Sequence, residues 1–102
     1  MNILDVIYVW FTTMKAVFFE FSAVTRYEES PTDRPNPSCS MNIRLKDREA
    51  DLVVWSSGEA ELVIGEIGDV VEQVHFDDLK NRDSLLSVLS RLTEFTVSSN
   101  PR

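Results

Sequence analysis

Apolar residues near the start of the chain recur at helical spacing. Ile3, Ile7, Trp10 and Met14 are separated by four, three and four positions, with Leu4 and Phe11 beside them. This stripe predicts an amphipathic helix over residues 2–16. Its width and aromatic content predict a helix largely buried against a sheet of the same chain. From Val17 the period falls to two. Phe19, Phe21, Ala23 and Tyr27 alternate with Glu20, Ser22, Arg26 and Glu28, as in a half-buried strand. Residues 29–38 then hold Pro31, Pro35 and Pro37. Proline has no amide to give to a ladder, so this stretch is predicted to be a loop, longer than a hairpin connection needs.

The alternation resumes with Met41, Ile43 and Leu45 set against Asn42, Arg44 and Lys46. A turn is predicted at residues 47–49, a third strand over 51–56 and a tight turn at 56–58, where Gly58 allows positive φ. In the fourth strand Ala60, Leu62 and Ile64 face one way and Glu59 and Glu61 the other; residues 65–69 turn the chain again. In the fifth, Val70, Glu72, Val74 and Phe76 alternate with Val71, Gln73, His75 and Asp77. The chain closes on a predicted helix over about residues 81–96, with Leu85, Val88, Leu89, Leu92 and Phe95 in one stripe. Asn81 or Asp83 can cap it, and residues 98–102 read as a frayed polar tail.

The order is αβββββα. Strands joined by short turns pair antiparallel, because a parallel crossover needs a dozen or more residues. The expected fold is therefore a single α+β domain over residues 1–102: a five-stranded antiparallel meander with both helices on one face. No repeat or domain linker interrupts it.

Charge narrows the choice of partners. Ten Lys and Arg face 17 Asp and Glu, a net charge of −7. Such a surface repels nucleic acid and anionic membranes, and it steers a basic protein or cleft towards itself. The first apolar run falls well short of the roughly 20 residues that span a bilayer. Asp5 stands where a secretory leader would be basic, so a cytoplasmic location is expected. The one cysteine, Cys39, rules out an intrachain disulfide and a cysteine-based zinc cluster.

Candidate chemistry is sparse. His75 lies in a strand beside Asp77, a base-and-orienter pair for which no nucleophile is specified. The pairs Glu28–Glu29, Glu59/Glu61 and Asp77–Asp78 fall in turns or on the expected wet face, whereas acid–base work needs carboxyls in contrasting environments. Three glycines make no phosphate loop, and Cys39 has no basic neighbour to draw out a thiolate. No cofactor or metal is called for, and the chain does not read as an enzyme.

Trp55 points elsewhere. It alternates with Val53 in a strand that is apolar on both sides, and Val63 and Val71 share the face carrying the acids. Either Trp55 or Leu52 and Val54, together with Val63 and Val71, would then form a sparse apolar patch ringed by carboxylates. An apolar centre with a charged rim is the anatomy of a protein-binding surface; the bland reading is that the long loop covers it.

Several of these features occur together in one family. They are an aromatic opening helix around Val9-Trp10-Phe11, a charged β-hairpin, the stretch Ala50-Asp-Leu-Val-Val-Trp55-Ser-Ser-Gly58-Glu-Ala-Glu-Leu62, and a leucine-rich closing helix. In these the chain resembles the TriTu-type immunity proteins of bacterial polymorphic (Rhs) toxins over nearly its whole length. The resemblance implies a cytoplasmic antitoxin. Its partner would be a cognate ADP-ribosyltransferase toxin domain that modifies elongation factor Tu, bound 1:1 so as to occlude the NAD or target site. An adaptor or chaperone that carries a secreted effector without inhibiting it is the alternative, followed by a small enzyme assembled at an oligomer interface. From strand alternation and loop position, the expected partner-binding residues are Asp33, Arg34, Trp55, Glu59, Glu61, Asp69 and Glu72, with Glu59, Glu61 and Glu72 pointing away from the helices.

Overall fold

The computed structural model describes residues 2–31, 33–66 and 68–98. The elements run α1 (Ile3–Glu20), β1 (Val24–Glu29), β2 (Ser38–Leu45), β3 (Arg48–Trp55), β4 (Ala60–Glu66), β5 (Asp69–Phe76) and α2 (Arg82–Ser98). The strands pair antiparallel in chain order, β1-β2-β3-β4-β5, so the sheet is an open meander. The α+β order αβββββα is thus the fold.

One face of the sheet is dry. Met41, Ile43, Leu52, Val54 and Leu62 are buried in a single cluster with Ile3, Ile7, Phe11 and Phe18 of α1 and Val88, Leu92 and Phe95 of α2. Both helices therefore cover the same face, and the odd–even alternation of β2 to β4 leaves the other face open to solvent.

The first boundary differs from the expected one. Residues 17–20 are helical, and the strand begins only at Val24. Phe18 follows Phe11 by seven positions and Met14 by four, so it continues the helical stripe into the core, where it is 1% exposed. Phe19, read as an inward strand position, is 85% exposed. The helix ends when Ser22 takes φ 63°. The Ser22 N–H then donates to the Phe19 carbonyl (3.0 Å) and the Ala23 N–H to Phe18 (2.9 Å), the Schellman pattern that usually carries glycine. With serine at that position, the stop signal is silent in the sequence.

Other boundaries move less. The β2–β3 turn is Lys46–Asp47, with Lys46 at φ 58°, so Arg48 and Glu49 open β3. β4 continues to Glu66, beyond its expected end. Asn81, not Asp83, caps α2, its side-chain oxygen accepting from the Asp83 and Ser84 amides at 3.0 and 3.2 Å. Residues 99–102 of the expected tail lie outside the described residues. The opening helix is less buried than its composition implies: Tyr8 and Val9 are exposed, and an open apolar cleft of about 520 Å³ runs between Trp10 on α1 and Leu86, Leu89 and Val97 on α2. No helix among the described residues is long and apolar enough to cross a membrane.

Candidate partner-binding face

The wet sheet face is built by the residues that alternate with the core. Cross-strand register places Glu28, Ser40, Val53, Glu61 and His75 in one row across all five strands. The next row is Arg26, Asn42, Asp51, Val63 and Gln73. Val53 and Val63 are half-buried at its middle, and Trp55 stands half-buried at the end of β3. Leu52 and Val54 belong to the core, so of the two expected patches the one built on Trp55 is the real one.

The two ends of this face differ electrostatically. Towards the β2–β3 turn, acid meets arginine, with Arg44 3.8 Å from Glu49. Asn42 donates to both Glu49 and Asp51 at 2.7 Å. At the opposite end, Glu59, Glu61 and Asp77 converge on one imidazole. Nδ1 of His75 donates to Glu61 at 2.7 Å, while its Nε2 lies 3.3 Å from Asp77 and 4.0 Å from Glu59. The Glu61 hydrogen bond, reinforced by the Glu61, Asp77 and Glu59 charges, raises the His75 pKa above its ordinary 6.5. An imidazolium there offsets part of the acidity and leaves a net negative cluster.

A turn and a loop hold this end in place. Gly58 has φ 105°, its N–H donates to the Trp55 carbonyl at 2.8 Å, and its carbonyl accepts from Leu79 at 2.7 Å. A Cβ at Gly58 would run into the Asp78 carboxylate, so both backbone shape and space demand glycine. The proline-rich loop is pinned to the same turn. Asn36 accepts from the Ser56 hydroxyl (2.8 Å) and the Ser57 amide (3.1 Å), and the Pro37 carbonyl accepts from the Ser56 amide (2.8 Å). The loop thus borders Trp55, which stays half-exposed, and Asp33 and Arg34 project from it into solvent.

Five of the seven expected residues therefore gather at one end: Asp33, Arg34, Trp55, Glu59 and Glu61. Asp69 is exposed at the far end, as the first residue of β5. Glu72 is a correction. It lies beside Val74 and Phe76 on the helix side, where Arg91 of α2 forms an ion pair with it. Its own period-two alternation with Val74 and Phe76 sets it on that side; the bulge, where Ile64 pairs with Glu72 and Gly65 with Val70, instead leaves Val71 unpaired and 57% exposed. His75 and Asp77, weighed in the sequence only as a catalytic pair, are members of the acidic cluster. The period-two pattern put His75 on the correct face, but only the β4–β5 register reveals Glu61 opposite it.

The contacts of His75 among the described residues are carboxylates, with no hydroxyl or thiol in line. Cys39 is buried on the core face, and burial raises its thiol pKa, leaving it protonated. Among the described residues no group of three or more His, Cys, Asp or Glu side chains is arranged to hold a metal. Compared with protein families, with curated proteins and with solved structures, the chain matches none.

Proposed function

We propose that this chain is a cytoplasmic antitoxin of the polymorphic-toxin kind, which binds and inhibits a cognate ADP-ribosyltransferase domain acting on elongation factor Tu. The observation that carries the reading is the acidic end of the open sheet face. It has a half-buried tryptophan, a fixed loop and a ring of carboxylates around a single imidazole. A surface of this kind suits binding a basic cleft, and a cleft that holds a dinucleotide pyrophosphate is characteristically basic. The specific toxin class rests on the sequence resemblance carried by the Trp55–Gly58 stretch and the aromatic α1.

The test is a titration. The purified protein is added to the ADP-ribosyltransferase domain encoded beside it, and label transfer from NAD to elongation factor Tu is followed. Turnover falls to background at one equivalent if the reading is right. Full turnover at excess, with a complex still formed, would instead identify an adaptor that carries the effector without inhibiting it.

A further inference from the structure

The sheet is open, and among the described residues β5 is paired on one side only. The hydrogen-bond phase of its free edge follows from one turn bond. The Trp55 amide donates to the Glu59 carbonyl, and bonded and non-bonded pairs alternate along an antiparallel ladder. Glu61 and Val63 therefore direct their backbone groups to β3, whereas Leu62 and Ile64 direct theirs to β5, against Val74 and Glu72. Gln73 and His75 fall at non-bonded positions, so their N–H and C=O groups point outward from the sheet.

Edges of this kind are commonly blunted by lysine, proline or a covering element. Asp69–Phe76 holds no Lys, Arg or Pro. The bulge disturbs only its first half and leaves Glu72 to Phe76 in regular register. The side chains along it are sorted by face. Towards the helices lie Val74 and Phe76, half-buried; towards the open face lie Gln73 and His75, with Glu61 and Asp77 on the imidazole. Apart from His75, every charged side chain from Asp69 to Asp78 is acidic. Two such edges oppose each other electrostatically, whereas a basic strand is attracted.

We infer that the free edge of β5 accepts an extended segment of a basic partner protein, whose residues alternate apolar and basic, as a sixth antiparallel or parallel strand. Its apolar side chains lie beside Val74 and Phe76, and its basic ones reach the Glu61–His75–Asp77 cluster, while Gln73 and His75 supply the main-chain hydrogen bonds. The inference rests on the reading of this chain as a binder of a basic protein and adds how the partner docks. It does not depend on the partner's being a toxin.

The probe is a synthetic peptide as long as β5 that alternates valine with lysine, added to the full chain while amide exchange is followed by NMR. At saturation the Gln73 and His75 amides slow by at least about tenfold, since ladder amides exchange only through local opening. The Thr25 and Tyr27 amides on the opposite edge do not slow. A valine–glutamate peptide gives no protection. Gln73→Pro abolishes peptide binding with little change in melting temperature, because that amide bonds nothing within the sheet, whereas Gln73→Ser retains binding. The inference is overturned if the basic peptide leaves the two amides unprotected, if the acidic peptide protects them equally, or if raising protein concentration alone protects them, which would make a second copy the occupant. Inhibition of the transferase without peptide protection would overturn the docking mode and leave the proposed function standing.

Discussion

His75 sits between Glu61 and Asp77, and both ring nitrogens face carboxylates. Its folded-state pKa is raised, chiefly by the Glu61 hydrogen bond. The sign follows from linkage: the imidazolium's contribution is complete below the ordinary value of 6.5 and disappears as pH rises through the folded value. The His75 ring proton shift should therefore titrate with a midpoint above 6.5, and Glu61→Gln should bring it back towards that value. A wild-type midpoint at or below 6.5 would contradict the geometry. Gly58 supplies a second residue-scale test. Gly58→Ala meets positive φ and the Asp78 carboxylate together, so it should cost about 1–3 kcal/mol in denaturant unfolding. A neutral substitution would mean that the turn relaxes freely.

At the scale of elements, the end of α1 shows what a sequence conceals. Phe18, Phe19 and Phe21 satisfy a period of two and a period of 3.6 at once. Only the tertiary choice of which phenylalanine to bury decides between them. The usual arbiter is a glycine at the helix stop, and Ser22 stands there instead. Ser22→Gly should therefore stabilise the fold by about 0.5–1 kcal/mol, since glycine takes the left-handed conformation without the side-chain penalty; a loss of stability would show that the serine side chain has another role. Where the pattern was unambiguous, it predicted the structure: β2 and β4 alternate cleanly and their core residues were legible one by one, whereas β3 is apolar on both faces and left Trp55 and Leu52/Val54 as alternatives. Asn81 was among the residues expected to cap α2, and Asn81→Ala should cost about 1 kcal/mol. β5 was legible as a strand, but its bulge was not, because one extra residue leaves no mark in a run of alternating valines. Glu72, paired with Arg91, was expected on the wrong face, although its alternation with Val74 and Phe76 places it beside them on the helix side. The candidate site was legible as composition (Trp55, Glu59 and Glu61) and not as a cluster, because His75 joins it only through cross-strand register.

Over the whole molecule, one face of the sheet carries the folding core, and the opposite face is the one proposed to bind a partner. Leu92, on the buried side of α2, is 1% exposed, so Leu92→Ala should cost about 2–5 kcal/mol of folding through the cavity it leaves. Glu59 and Asp77 are exposed at the acidic end, with side chains 57% and 99% accessible, and changes there should shift folding by no more than about 0.5 kcal/mol. Glu61 is less free, since it holds the imidazole. With a net charge of −7, association with a basic partner should slow as salt shortens the screening length from about 10 Å at 0.1 M to about 3 Å at 1 M. The most direct test of the acidic end as the binding surface is the association rate of the Glu59→Lys/Asp77→Lys variant with the transferase domain proposed as its partner. Reversing both charges should slow association by about tenfold or more in low salt, with the two proteins converging in high salt and the melting temperature unchanged. An association rate equal to wild type at every salt concentration would contradict the account and place the partner elsewhere on the molecule.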